Sequence, residues 1–462
     1  MPTIVWFTRR VLLKGVSDGY RNGAIVRRIG PWQLARAVPT RPSTRSQRRA
    51  IWSVTELGPV QISGHSVRLR LPRFADVDDW CRIRLRDQQA IEPFWVASSL
   101  TWQERHTRKL WVRECLEMRR ARRKATALSF VIECDGRFAG QCGLTSIDLS
   151  TGQAELGIWI DSTVARGGVG SVAASLVVDY AFDVLALYRV AAITAVGNMP
   201  AAHGAERIGF VFEARMDSFF EIGTGRAAHE LRAIIGDRRP VGGVTSDAIA
   251  RWDRPRPPAA PPNQASPVVR RRIPPFTDLL TVSKFYLGSA RQVAARYKKR
   301  KQFDIAWDGP ATELGRVSLK GSTDVDSPTS TSHKTTDGFA RFARLLRHDD
   351  DSPALTAQIV ADRSKLATCR LVDVFHENGR LDIALVGESA PQEVAEGVRV
   401  LIDVIFTKIG LRRVFAILRV SDITTAKIIE AAGMTREGTM TGYAEFAGKR
   451  EDHDLWAITT DS

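Results

Sequence analysis

A glycine-rich turn between an apolar strand and a long helix is the feature that most constrains this sequence. In "ELGIWIDSTVARGGVGSVAASLVVDYAF", an apolar stretch leads to Gly167, Gly168 and Gly170, and a helical pattern of apolar residues follows. Glycines allow a tight turn, and the first turn of a helix carries unpaired amides and a partial positive charge. Such a turn binds phosphate groups, although many strand–helix turns contain glycine for the turn alone.

The residues around this turn predict an α/β (α+β) domain. Val67, Leu69 and Leu71 alternate as in a strand, and "ALSFVIECDGRFAGQCGLTSI" is typical of two strands joined by a hairpin turn at Asp135-Gly136. "YRVAAITAV" and "AAHELRAII" are predicted strands, with the short helix "AAHGAERIGF" between them.

The second half of the chain repeats this order. "LRRVFAILRV" corresponds to "LYRVAAITAV", and "AKIIEAAGM" corresponds to "HGAERIGF". About 224 residues separate the two copies, as from Asp179 to Asp403. The sequence therefore predicts an internal duplication of a whole domain.

Composition divides the chain into four parts. Residues 1–60 are rich in arginine and poor in acids, which is typical of a disordered basic leader or an organelle transit peptide. Residues 237–311 are predicted to form a Pro/Arg-rich linker and a connecting helix. The expected domains are residues 64–236 and 312–460.

Charge and cysteine content narrow the class of partner. The net charge of +16 favours polyanions, acidic proteins or phosphorylated ligands. The basic run "RYKKRK" is either a solvated face or a docking patch for an acidic partner, and the basic leader and linker are the segments through which an acidic partner or the ribosome would dock. No motif supports nucleic-acid recognition through "RRARRK" (119–124) and "RYKKRK". The five cysteines form no CxxC pair, and no apolar run reaches transmembrane length. We therefore expect a cytoplasmic protein that binds no metal and does not engage a membrane.

Four segments carry a resemblance to a known family. "RLRLPRFADVDDW", "ELGIWIDSTVARGGVGS", "GNMPAAHGAERIGF" and "DITTAKIIEAAGMTREGTMTGYAEFAGKREDHDLWAI" resemble the GNAT acetyltransferase superfamily. The match is closest to its RimJ/RimL-type branch, which acetylates the N-termini of ribosomal proteins. The resemblance implies two GNAT-like domains, each a mixed twisted sheet flanked by helices. It also implies that acetyl-CoA, the acyl donor, enters a gap between the fourth and fifth strands.

The resemblance also implies a set of site residues. A loop would hold the pyrophosphate, and it comprises Arg166, Gly167, Gly168, Val169, Gly170 and Ser171. The backbone around Ile158 and Ile160 would bind the pantetheine arm. Asn198 either contacts the cofactor or caps the following helix. Glu155 is the candidate catalytic base, with an ordinary surface ion pair as its alternative, and Glu133 and Glu221 are the next carboxylates to test.

The sequence departs from the family pattern in both copies. Ala201 and Ala205 stand where the family has a serine and a tyrosine, so no general acid is evident in the first copy. In the second copy Pro391, Gln392 and Glu393 replace the glycine loop, so we expect a degenerate domain that binds no cofactor.

Two functions follow from this sequence. The first is an N-acetyltransferase whose acceptor is a primary amine, either a protein N-terminus or a small molecule. The alternative is a non-catalytic CoA-binding scaffold or ribosome-associated interaction protein.

Overall fold

The computed structural model describes residues 44–252 except 224, then 278, 281–282, 317–321, 355–361, 364–375, 377–387, 391–446 and 448–460. The chain divides into two compact units. Unit 1 comprises Met1–Arg215, Glu221–Leu279 and Thr441–Glu451, and unit 2 comprises Met216–Phe220, Leu280–Met440 and Asp452–Ser462.

The helices and strands of the first copy lie between residues 44 and 252. The helices are α1 (Thr44–Ser53), α2 (Val77–Arg86), α3 (Gln88–Ile91), α4 (Trp102–Arg105), α5 (Arg108–Arg123), α6 (Val169–Asp183), α7 (Met199–Arg207) and α8 (Val244–Trp252). The strands are β1 (Glu56–Ile62), β2 (His65–Arg70), β3 (Leu128–Cys134), β4 (Arg137–Asp148), β5 (Gln153–Ile160), β6 (Arg189–Ala195), β7 (Val211–Ile222) and β8 (Gly225–Ile235).

The sheet of the first copy separates at one place. Its strand order is β1-β2-β3-β4-β5-β6-β8, antiparallel except for the parallel pair β5 and β6. The parallel pairing runs only from Gln153↔Arg189 to Glu155↔Ala191, although β5 continues to Ile160 and β6 to Ala195. Beyond Glu155 the two strands diverge, and this is the gap that the resemblance implied. The two strands are the fifth and sixth rather than the fourth and fifth, because β1 precedes the first strand that the sequence predicted.

Helices cover both faces of this sheet. Val172, Val177 and other apolar residues of α6 pack against Leu156 and Ile158 of β5 in one buried cluster. On the opposite face, Trp80 of α2 and Trp111 of α5 pack with Trp159 of β5 in a second cluster. This alternation of side chains along β5 confirms the predicted mixed sheet flanked by helices.

The prediction of a disordered leader is wrong for residues 44–60. In α1, Ile51 is fully buried and the Gln47 amide donates to the Leu185 carbonyl at 2.6 Å, and β1 pairs with β2. The arginines of this segment lie on the other side of the helix, so composition concealed an amphipathic helix. Part of the expected linker is also helical, since α8 begins at Val244. The Asp179 carboxylate caps this helix by accepting hydrogen bonds from the amides of Val244 and Thr245. Most of the predicted connecting helix, including "RYKKRK", lies outside the described residues.

The second copy contains the following described elements: the strands β9 (Val317–Gly321), β10 (Leu355–Ala361), β11 (Ser364–Phe375), β12 (Asn378–Leu385), β13 (Arg413–Arg419), β14 (Thr435–Phe446) and β15 (Lys449–Thr459), and the helices α9 (Pro391–Val404) and α10 (Ile423–Ala431). Its sheet runs β9-β10-β11-β12-β13-β15, again with one parallel pair, β12 and β13. That pairing is short, from Asn378↔Arg413 to Arg380↔Phe415.

A constant offset relates the two copies. β6 and β13 begin at Arg189 and Arg413, α7 and α10 at Met199 and Ile423, and β8 and β15 at Gly225 and Lys449, which is 224 residues each time. The same spacing holds for a buried ion pair. Arg189 binds Glu213, and Arg413 binds Glu437.

Candidate cofactor site

Gly168 is the residue of the glycine loop whose conformation most requires glycine. It immediately precedes α6 and lies in the left-handed region at φ 81°. A Cβ on Gly168 would lie 2.9 Å from Cδ2 of Trp252 and 3.2 Å from Cγ1 of Ile62. At Gly167 the nearest atom to such a Cβ is His65 Cδ2 at 3.5 Å, which is ordinary van der Waals contact. The bare Cα of Gly168 therefore accommodates the indole of Trp252, a reason that the sequence analysis did not identify.

The first turn of α6 keeps the features that an anion needs. No side chain caps this helix at Gly168, and the amides of Val169, Gly170 and Ser171 have no acceptor inside the helix. All three residues are buried, whereas Arg166 is exposed in the preceding 3-10 turn. The loop therefore fits a diphosphate by its amides and helix dipole.

The backbone of β5 presents its free edge to the gap. The Asp161 amide donates to the Ala139 carbonyl on β4 at 2.8 Å. Because peptide groups alternate in direction along a strand, the backbone groups of Ile160 and Ile158 face away from β4, towards the diverging β6. Their side chains are buried under α6. These two residues thus have the orientation that pantetheine binding requires.

Glu155 lies at the point where β5 and β6 diverge. It is the last β5 residue paired with β6, opposite Ala191, and it is only 1% exposed. It is therefore not an ordinary surface ion pair. Alternation along β5 places its side chain on the same face as that of Trp159.

The other carboxylates suggested by the sequence lie in different surroundings. Glu133 is buried and paired with Arg68 and Arg70, and its pKa is lowered because the hydrogen bonds and charges of both guanidinium groups outweigh the opposing effect of burial. Glu221 is exposed, and its carbonyl accepts from the Ala97 amide. Neither fits a buried base as well as Glu155.

The segment after β6 is packed as a structural element. The Asn198 side chain accepts from the Ala201 amide at 3.3 Å and caps α7, which is one of the two roles predicted for it. Ala201 and Ala205 are fully buried in the core beneath α6. Neither position offers a hydroxyl to protonate a leaving thiolate.

The sequence analysis did not predict that Arg84 lies among tryptophan rings on the Glu155 face of β5. The guanidinium of Arg84 in α2 stacks 3.8 Å from the Trp95 ring and 4.5 Å from the Trp159 ring. Burial lowers the pKa of Arg84 to about 9, and its Nε and Nη1 have no hydrogen-bond partner among the described residues. Trp159 in turn donates to Gln141 at 2.8 Å. The sequence between α2 and α5 is rich in tryptophan and arginine, which was the only available indication of this cluster. Composition alone does not show which of these residues contact one another.

One group of side chains has the spacing of metal ligands. His65, Cys134 and Asp135 place ligand atoms within 4.8 Å of one another. Burial raises the pKa of the Cys134 thiol to about 12, which opposes the thiolate form that binds metals. The Asp135 carboxylate already accepts hydrogen bonds from His65 and from the Ser66 amide. These bonds hold the β3–β4 turn against β2, so the group has a structural role.

The corresponding position in the second copy differs. Pro391, Gln392 and Glu393 form the first turn of α9 rather than the predicted loop, as suits a proline at a helix start. Glu393 places a carboxylate at the end of the helix that attracts anions. Asp422 caps α10 through the Thr425 amide at 3.1 Å, as Asn198 caps α7.

The class of this domain follows from comparison with known proteins. Residues 66–211 match the family described as "Acetyltransferase (GNAT) domain". The chain therefore carries a GNAT acetyltransferase domain, and the resemblance predicted from the sequence is confirmed for this region.

Individual relatives match shorter stretches. The chain is 37% identical over 81 residues to a Bacillus subtilis protein named "Putative ribosomal N-acetyltransferase YdaF" (18% of this chain, 44% of that protein). It is 38% identical over 100 residues to spermidine N(1)-acetyltransferase of Escherichia coli K12 (21% and 54%). The chain thus spans about half the length of the curated relatives it matches. Mycobacterium smegmatis RimJ, solved with CoA-disulfide, shares 29% identity at a TM-score of 0.41, covering 42% of this chain and 94% of that one.

In the part of the chain that the structure describes, no helix is both long and apolar enough to cross a membrane.

Proposed function

We propose that the first copy is an N-acetyltransferase that transfers acetyl from acetyl-CoA to a primary amine. The observation that carries the proposal is the divergence of β5 and β6 at a buried Glu155, together with the uncapped N-terminus of the helix α6 that follows β5. When bound, acetyl-CoA supplies the acetyl thioester. The relatives named for ribosomal and spermidine acetylation support an amine acceptor.

Each site residue has a role that follows from its position. The amides of Val169, Gly170 and Ser171 and the exposed Arg166 would hold the diphosphate, and the backbone of Ile158 and Ile160 would align the pantetheine arm. Glu155 would remove the proton from the acceptor ammonium, directly or through water. A protein α-amine, with a pKa of about 8, requires less of this base than an alkyl amine near 10. We therefore propose a protein N-terminus as the preferred acceptor.

A Glu155→Gln variant tests this assignment. General-base catalysis contributes roughly 10²- to 10⁴-fold, so kcat/KM for thiol release from acetyl-CoA with an amine should fall by at least about a hundredfold. CoA affinity should stay unchanged, because alternation along β5 places the carboxylate on the sheet face opposite α6. Glu221→Gln, an exposed carboxylate, is the matched control and should retain activity.

A second candidate function is a CoA-binding scaffold without catalysis. The fully buried Ala201 and Ala205 favour it, since no hydroxyl is available there. If the protein binds CoA but releases no thiol with N-terminal peptides, lysine or polyamines, this function replaces the first.

A further inference from the structure

We propose that unit 1 contains a second ligand site, a pocket for a nucleoside polyphosphate, separate from the diverging strands. A cavity of about 560 Å³ lies between the end of α1, the end of β2 and α5. This volume is within the range of small-molecule sites, roughly 300–1,000 Å³. Its lining combines several arginines with Trp52, Leu71, Pro72 and Met118.

The charge of the lining selects an anion. Five arginines line the cavity against one carboxylate, Glu56. Two of the five have structural partners: Arg70 pairs with Asp76 and Glu133, and Arg122 donates to carbonyls at the end of α1.

The other three arginines, Arg73, Arg119 and Arg123, are exposed, and none of them pairs with a carboxylate within the described residues. Arg119 is held by stacking 4.3 Å from the Phe74 ring. Guanidinium groups that line one cavity without a carboxylate partner suit phosphate oxygens.

The apolar part of the lining suits a ligand with a flat or apolar body. Leu71, Pro72 and Met118 form this part, and Trp52 presents an indole that is 51% exposed. The Trp52 Nε1 donates to the Arg123 carbonyl at 3.2 Å, which orients the ring. An inorganic anion would leave this surface unused, whereas the base of a nucleotide would cover it.

The pocket is distinct from the candidate cofactor site. The glycine loop contacts the hairpin end of β2, where a Cβ on Gly167 would lie 3.5 Å from His65 Cδ2, whereas the cavity lies at the other end of β2, at Arg70. Five residues at about 3.3 Å each separate His65 from Arg70 along the strand, so the two sites are roughly 16 Å apart. The arginines of "RRARRK" that line the pocket would therefore bind a ligand other than the cofactor of the acetyltransferase site.

Titration calorimetry with ATP as the probe tests this site at physiological ionic strength. CoA is added at one equivalent per chain, because excess CoA carries a phosphorylated ADP group that would compete for the same pocket. We expect the wild type to bind ATP more tightly than it binds pyrophosphate. It should not bind adenosine at all. Arg119→Ala/Arg123→Ala should weaken ATP binding by about tenfold or more, because each charge-assisted hydrogen bond is worth roughly that factor. Arg113→Ala is the matched control, since Arg113 is exposed on α5, pairs with Glu117 and lies outside the lining.

Four results would overturn the proposal. They are no ATP binding by the wild type, equal loss with Arg113→Ala, pyrophosphate binding as tightly as ATP, and preferential binding of a glutamate-rich peptide. Gly167→Asp, which alters the loop before α6, should leave ATP binding intact. Loss in that variant would place the nucleotide at the cofactor loop instead. Failure of acetyl transfer alone leaves this site unaffected.

Discussion

Two features of the Gly168 position exclude a side chain: its backbone conformation and the packing of Trp252 against it. Its φ of 81° is costly for other residues, and the Trp252 indole occupies the space of a Cβ. We expect Gly168→Ala to lower the free energy of unfolding by roughly 2 kcal/mol, from left-handed strain and overpacking. Gly167→Ala, with only ordinary contacts, should change it by less than about 0.5 kcal/mol.

Denaturant unfolding of both variants measures this difference. Adding Trp252→Ala to each background separates the two causes, because only the overpacking depends on the indole. Equal stability of Gly168→Ala and Gly167→Ala would show that neither strain nor Trp252 restricts this position. For the same reason a large residue at Gly168 is a poor probe of cofactor binding, since it perturbs the fold.

At the level of elements, sequence periodicity predicted the helices and strands that are determined by local sequence. The strand β5, the helix α6 and the divergence at Glu155 follow from alternation, from glycine placement and from the family resemblance. The contact of Trp252 with Gly168 joins residues far apart in sequence, and the stacking of Arg84 on Trp95 depends on how α2 packs. Periodicity along the chain therefore reveals neither contact. The strand β7 was missed because the alternation in "VFEARMDSFFEI" is short: the buried Ala214 and Met216 alternate with charged residues only from Glu213 to Asp217.

The α6 N-terminus makes a prediction that does not disturb Gly168. Gly167→Asp places a carboxylate beside the amides that we propose hold the diphosphate, in a position that tolerates a Cβ. Repulsion between charges a few ångströms apart should weaken CoA binding by at least about tenfold, and added salt should reduce the effect. Gly167→Asn has nearly the same size without the charge and should bind CoA almost as the wild type does. If Asp and Asn behave alike, the amides do not bind the diphosphate.

Across the whole molecule, the two copies share a backbone plan but differ in chemistry. The 224-residue offset extends to the caps Asn198 and Asp422 and to the buried pairs of Arg189 and Arg413. The start of the helix that follows β5 in the first copy and β12 in the second differs in kind. In the first copy it is an uncapped glycine, and in the second it is proline followed by Glu393. A duplicated fold has thus kept its packing residues while changing the residues that could bind an anion.

This divergence predicts the number of cofactors per chain. We expect calorimetry or native mass spectrometry to find one CoA per chain, because the Glu393 carboxylate and the missing glycines disfavour a diphosphate at α9. Glu393→Ala should leave the ratio at one, since removing the charge does not restore a glycine turn, whereas Gly167→Asp should reduce occupancy of the single site. Two CoA molecules bound to the wild type, and still two after Arg119→Ala/Arg123→Ala, would mean that the second copy is a functional cofactor domain. Retention of one CoA with unchanged affinity in Gly167→Asp would instead place the bound cofactor away from α6.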